Sequence, residues 1–444
     1  METFNDLLFV NLHGDMFNTD SLYHFDGSNW VLFEYGSSNV SLNATAQELT
    51  LTRRYGVSVY NQNLNSTHYL SPNSFNLEAT DFTSAIFTDK DEYWITDRYN
   101  GLLHHDDGFS ETIKPSGPFL SDVVQLKSFR DEIWLAHGAK DENWNPTWLK
   151  SELSVFKSDN WTSSNTLIDQ DFIDVVAVNK NESSIYLASW QKGIAQMTAG
   201  NLDVIYNETN SSLQKRALHD DWINIGDIKF DSEGNMWCTN SQTYNPISVK
   251  YTNGEWASFS LGSGVTESQN VAKLLIDKND QKWVQLKNNG LVVFDERRQG
   301  AKTRKLTNSE NMGNLTSNRV HSFAEDLEGE IWVGTDNGVS VFYNPEDVFL
   351  GENASQVIVS LGGFNSYLLE GQRINDIEID GANRKWFATN NSGVIVTSEN
   401  GTEEIYHFTS ENSPLFSNKV IDIEMNGETG EVFFATNKGL ISLR

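Results

Sequence analysis

A single cysteine, Cys238, stands among the 444 residues, so no intrachain disulfide can form. In the run Asn235-Met-Trp-Cys-Thr-Asn240 it falls inside a predicted strand, where a thiol acts as a small buried group. Proline is scarce, at seven residues, which excludes a proline-rich disordered chain. Long apolar runs are missing: none approaches the roughly 18–20 residues of a membrane helix. The N-terminus, Met1-Glu-Thr-Phe-Asn-Asp-Leu-Leu-Phe-Val10, has neither the basic start nor the small-residue cleavage site of a signal peptide. The expectation is a cytosolic, mature or truncated chain, and the repeats described below favour truncation. Basic residues are few, 32 Lys and Arg against 61 Asp and Glu, for a net charge of −29. Such a surface repels polyphosphate and excludes nucleic acid as a partner across a broad face. The acidity itself is read as a solubility feature.

Aromatic residues are plentiful, with 13 Trp and 25 Phe, and Gly and Asn are abundant. The chain is too long for one ordinary core, which points to two domains or one large repeat array. A repeat is present. Its clearest copy is Asp326-Leu-Glu-Gly-Glu-Ile-Trp332-Val-Gly-Thr-Asp-Asn-Gly338-Val-Ser-Val-Phe342: an acidic, Gly-containing turn, a strand opening near Trp, a second turn at Gly, and another strand. Further copies centre on Trp94, Trp134, Trp237, Trp283 and Trp386, and weaker ones place Tyr186, Phe433, Thr50 and Phe9 at the Trp position. Alternating runs such as Ile374-Asn-Asp-Ile-Glu-Ile379 precede the Trp strand, and hairpins such as Tyr251-Thr-Asn-Gly-Glu-Trp-Ala-Ser-Phe259 follow the Gly strand. Four short strands per unit make a blade of a β-propeller. The repeated Trp is read as core, filling the space between stacked blades.

The fold class is therefore all-β, a β-propeller of about ten four-stranded blades. Propellers close with four to eight blades, so the last seven copies, residues 119–444, are expected to form one seven-bladed ring. Residues 1–118 are then a partial first propeller of about three blades. The final copy shows three strands, around Val420–Met425, Val432–Thr436 and Leu440–Leu443, and its outer strand is expected to come from earlier in the chain.

The phrase Gly329-Glu-Ile-Trp-Val-Gly-Thr-Asp-Asn-Gly338 resembles the two-component-regulator propeller repeat of bacterial sensor ectodomains. Longer ordered stretches, Trp332 to Phe349, Ile374 to Trp386, Phe408 to Leu415 and Thr429 to Leu440, resemble the PorZ-like propeller proteins of the Bacteroidetes type IX secretion system. This resemblance implies a non-enzymatic accessory protein with two seven-bladed propellers and a C-terminal β-sandwich. It implies a place at the cell surface or on the periplasmic side of the outer membrane. The implied partners are a sortase-like protease, outer-membrane proteins of the attachment complex, and an anionic lipopolysaccharide that is bound and presented. The chain ends where that sandwich would begin and carries about four blades fewer, so an interior fragment is expected.

No constellation of converging catalytic groups stands out, and no cofactor is expected. His104-His105-Asp106-Asp107 has the composition of a metal site, but neighbouring strand residues point to opposite sides, and a solvated hairpin tip is the expectation. A propeller lyase of the streptogramin-inactivating type needs a His at the ring centre, and the nine His are scattered. One segment runs against the overall charge: Arg297, Arg298, Lys302, Arg304 and Lys305 fall within nine positions. This loop lies between the third and fourth strands of its blade, and Lys282, Arg384 and Lys385 lie at first-to-second turns expected on the same ring face. Together they are the candidate site for an anionic glycan, whose carboxylates or phosphates guanidinium groups would pair. The competing reading is a periplasmic sensor propeller of a hybrid two-component system that binds an oligosaccharide.

Overall fold

The computed structural model describes residues 1–444 apart from 14–19, 37, 76, 78–79, 89–91, 107–108, 114–116, 119–122, 139, 142, 150–152, 165–171, 218–220 and 362–363. One turn explains why the repeat folds as it does. Asp326 opens the connection between the strands Val320–Glu325 and Ile331–Thr335. One of its carboxylate oxygens accepts the backbone N–H of Glu328 at 3.0 Å and of Glu330 at 2.9 Å, and the other accepts the indole N–H of Trp332 at 3.1 Å. A single side chain thus folds the hairpin and aims the Trp. The same carboxylate-to-indole bond recurs at Asp231–Trp237 (2.8 Å), Asp277–Trp283 (2.9 Å) and Asp380–Trp386 (3.0 Å).

The Trp position is core in nearly every copy. Trp237, Trp283 and Trp332 have no exposed surface, and Phe9, Thr50, Trp134, Tyr186, Trp386 and Phe433 are buried as well. Removing one indole from water contributes about 4–6 kcal/mol, so these residues weld each blade to the next. Trp94 is the exception. It is half-buried and stacks on His104 with ring centroids 4.3 Å apart.

Among the described residues there are eleven sheets, eight of them four-stranded, with strands in consecutive order and antiparallel pairing. The chain divides into two compact units, Met1–Gly117 and Pro118–Arg444. The first unit holds three blades, beginning with the strands Glu2–Phe4, Asn39–Ala44 and Phe82–Phe87. The second holds seven, whose first strands are Gln125–Phe129, Val175–Lys180, Asn224–Phe230, Val271–Ile276, Val320–Glu325, Ile374–Ile379 and Val420–Met425. The fifth blade departs from the pattern. After Gly338–Phe342 the chain forms a short 3-10 helix, Pro345–Leu350, then a bridge from Ser355 to Val341 and a separate hairpin, Ile358–Leu361 with Phe364–Tyr367.

The seven blades close a ring. Leu126 N–H donates to Asp422 at 2.6 Å, Ser128 N–H donates to Glu424 at 2.8 Å, and Lys127 pairs with Glu424 at 3.0 Å. Phe433 and Ala435 of the seventh blade pack against Leu126, Ile133 and Leu135 of the first. The Asp422 bond is one instance of a general device, a polar side chain on one first strand accepting an N–H from the next: Asp227 from Leu274 (3.0 Å), Asp376 from Ile423 (3.2 Å), Gln125 from Val178 (2.9 Å). Among the described residues no strand from earlier in the chain joins the seventh blade. Its sheet has three strands among the described residues, and side-chain packing with these bonds performs the closure. The protein is all-β: seven blades in one ring, and three further blades in the other unit.

Candidate functional site

Of the basic residues singled out in the sequence, Arg304 and Lys305 lie within the outer strand Thr303–Leu306, and those in turns lie toward one end of the ring. Lys282 pairs with Phe294, and Phe294 with Thr303, so the start of the second strand and the 295–302 connection share that end. Two of the eight nevertheless present nothing to solvent, which corrects the expectation for them. The Lys282 side chain is completely buried, 2.8 Å from Glu296 and 4.1 Å above the Trp237 ring. The Lys385 side chain is equally buried, 2.9 Å from Asp326 and 4.8 Å from the Trp332 ring centre. Each lysine directly precedes a core Trp, and each crosses to the blade before its own. That dipeptide was the signal of a structural role.

Arg304 is half-buried and ties its strand to the fifth blade, donating to the carbonyls of Val348 and Glu352 and, at 3.0 Å, to the side chain of Asn353. Arg298 lies 4.3 Å over the Phe349 ring. Four cations remain nearer to solvent. Arg297 is half-exposed beside Asp280 (3.2 Å) and Asp295 (3.5 Å), and Arg384 pairs with Asp380 at 2.6 Å. Lys302 donates to the carbonyl of Glu296 at 2.7 Å, and Lys305 to that of Gly264 at 3.3 Å.

A second concentration of charge, one that sequence reasoning missed, surrounds the mouth of the central channel at the opposite end of the ring. There, where the first strands begin, lies a cavity of 630 Å³. Six cations line it among the described residues, Lys140, Lys273, Lys287, Arg319, Arg373 and Lys419, against four carboxylates, Asp141, Asp227, Asp336 and Asp422. The balance of the whole chain is reversed here. Six of the seven blades contribute one or two of these charges each, so no run in the sequence announces them.

Lys140, Asp141, Asn143 and Trp144, between the strands Glu132–Ala136 and Leu153–Lys157, supply part of the rim. The Trp144 carbonyl accepts the indole N–H of Trp190 at 3.0 Å, and the Asn143 carbonyl accepts from Lys287. Lys140 lies 3.8 Å from the Trp144 ring centre and 4.3 Å from that of Trp190. Burial, and then the positive charge of Lys273, brings its ammonium down to about 7. Lys273 behaves oppositely: burial works against its charge, but Asp376 at 2.9 Å and Asp422 outweigh that and hold it above the usual lysine value. Burial, and then Arg373, pushes the His321 imidazole down to about 4, so it is neutral at pH 7. His321 Nε2 and Arg373 Nε are both buried atoms with no hydrogen-bond partner among the described residues.

The paired histidines face apart. His104 bonds Glu111 at 3.0 Å, whereas His105 bonds Ser110 at 2.7 Å, and Asp107 lies outside the described residues. Cys238 is buried, and burial pushes its thiol up, far from a reactive thiolate.

Residues 314–337, which include the second strand of the fifth blade, match the two component regulator propeller model. No curated protein matches the chain. Among solved structures, the chain is similar to PorZ, an essential bacterial surface component of the type-IX secretion system of Porphyromonas gingivalis. The TM-score is 0.75 at 19% identity, covering 95% of this chain and 60% of that one. A weaker likeness, with a TM-score of 0.35 and 16% identity, is to the extracellular domain of the hybrid two component system BT3049 from B. thetaiotaomicron, covering 96% of this chain and 59% of that one. The chain thus spans less than two thirds of the length of either structure. In fold, it is a PorZ-like propeller.

Proposed function

We propose that the chain is part of a non-enzymatic accessory protein of a type IX secretion system, at the cell surface or the periplasmic side of the outer membrane. It binds anionic lipopolysaccharide and presents it to the sortase-like attachment complex and its outer-membrane partners. In this reading residues 119–444 are one propeller domain and residues 1–118 belong to another. The observation that carries the proposal is the likeness in fold to PorZ, which runs through 95% of the chain at a TM-score of 0.75. The basic end of the ring supports it: Arg297, Lys302, Lys305 and Arg384 lie near solvent on a protein of net charge −29, and such a patch orients an anionic glycan.

The test is capture of lipopolysaccharide from a type IX-secreting bacterium by the immobilised chain, beside the variant Arg297→Glu/Lys302→Glu/Lys305→Glu. Lys282, Lys385 and Arg304 are left intact because they hold blades together. Capture that weakens with salt and disappears in the variant supports both role and site. Equal capture by the variant removes the site, and no capture by the folded parent removes the role. The two component regulator repeat at residues 314–337 favours a second reading, a sensor propeller binding an oligosaccharide. Binding of neutral oligosaccharides, unaffected by salt, would favour it.

A further inference from the structure

We infer that the mouth of the central channel is a binding site for a sugar-sized ligand carrying one phosphate or carboxylate group, held chiefly by Arg373 and His321 with Lys140 on the rim. The site is at the other end of the ring from the exposed basic loop, and it stands whether or not lipopolysaccharide is captured there.

Three observations converge. First, cations outnumber carboxylates among the described lining residues, whereas acids outnumber bases nearly twofold in the chain, 61 to 32. Second, the lining cations are unequally neutralised. Lys273 pairs with Asp376 at 2.9 Å and Arg319 lies 3.7 Å from Asp336, but Arg373 and Lys140 have no carboxylate partner among the described residues. Lys140 instead rests on two indole rings, where burial leaves its ammonium only partly charged at neutral pH, so an anion at the rim would draw its proton back on. Third, His321 and Arg373 both line the cavity, and just behind its surface His321 Nε2 and Arg373 Nε are buried with no hydrogen-bond partner among the described residues. Leaving such a group unmade costs about 1–3 kcal/mol, and one oxyanion placed between them would relieve both.

The charges facing this point come from several blades. Arg319, Arg373, Lys273 and Asp336 act on His321, while Lys273, Lys287 and Asp227 act on Lys140. A neutral imidazole can donate Nε2–H to the anion while Arg373 supplies the charge. The cavity's 630 Å³ lies within the roughly 300–1,000 Å³ of small-molecule sites, and Gln125, Asn288 and Asn375 add carboxamides suited to sugar hydroxyls.

The full chain would be titrated calorimetrically with glucose 6-phosphate, galacturonate, inorganic phosphate and glucose. Binding of the two anionic sugars, with glucose silent, is expected, and affinity should fall at least tenfold in Arg373→Gln and in His321→Leu. Lys140→Gln provides a peripheral second variant, expected to weaken binding severalfold, should either of the others fail to fold by circular dichroism. Glucose 6-phosphate binding better than inorganic phosphate identifies a glycan-borne group, and equal binding identifies the free anion as the source. Lipopolysaccharide capture through the basic loop should be unchanged in Arg373→Gln. Absence of binding by every anionic probe to folded protein, or unchanged affinity in the folded variants, overturns the inference.

Discussion

Lys385 and Asp326, from adjacent blades, form an ion pair 2.9 Å long in which neither side chain has any exposed surface. The ammonium also donates to the carbonyl of Asn383 at 2.9 Å, and the carboxylate is held by two backbone N–H groups and the Trp332 indole. Every polar valence is used, which is the condition under which a buried pair survives its desolvation cost. Lys385→Met leaves Asp326 charged and uncompensated, and should cost about 3–5 kcal/mol in urea unfolding. The double variant Lys385→Met/Asp326→Asn should recover part of that loss, because Asn still accepts from the turn without carrying a charge. A single variant as stable as the parent would mean that the pair contributes nothing.

Glu330, in the same turn, titrates in the neutral range. Burial, followed by the negative charges of Asp326 and Glu328, raises its carboxyl to about 7. In the folded state it therefore binds a proton that the unfolded chain releases near its ordinary value of 4.5. Stability should fall as pH rises between about 4.5 and about 7, because the folded state holds more protons throughout that window. Glu330→Gln should match the parent at pH 4 and exceed it at pH 8 in thermal unfolding. Parallel stability curves for the two proteins would place the carboxyl at an ordinary value.

Those two residues also show what the sequence could and could not reveal. The Asp–Gly turn, the Trp six positions on and the alternating strands are local signals, so ten blades and their core aromatics are legible. Asp326 reads as a turn residue because its backbone bonds are local, but its pairing with Lys385 joins blades and has no local sign. Arg298 and Arg304 read as part of an anionic-glycan site for the same reason, although Arg298 lies over the Phe349 ring and Arg304 donates to the Val348 carbonyl of the next blade. The channel mouth was invisible because its cations are dispersed: Lys273, Arg319, Arg373 and Lys419 each sit at the start of a different blade. Only ring closure, through bonds such as Leu126 to Asp422, brings them to one place.

Lys140 and Lys273 line one cavity and should differ sharply as nucleophiles. Burial and the charge of Lys273 bring Lys140 to about 7, whereas Asp376 and Asp422 hold Lys273 above the ordinary value. At pH 7.5 about three quarters of Lys140 is then free amine, against roughly 0.1% of an unperturbed lysine. Limiting acetic anhydride followed by peptide mass spectrometry should acylate Lys140 ahead of the exposed Lys302, and leave Lys273 among the last. An anion bound at the channel mouth draws the Lys140 proton back on and raises its pKa, so glucose 6-phosphate should slow that acylation without affecting Lys302. If Lys140 labels no faster than Lys302, its ammonium is better solvated than its stacking on Trp144 and Trp190 implies. Water would then reach the ammonium between the two rings.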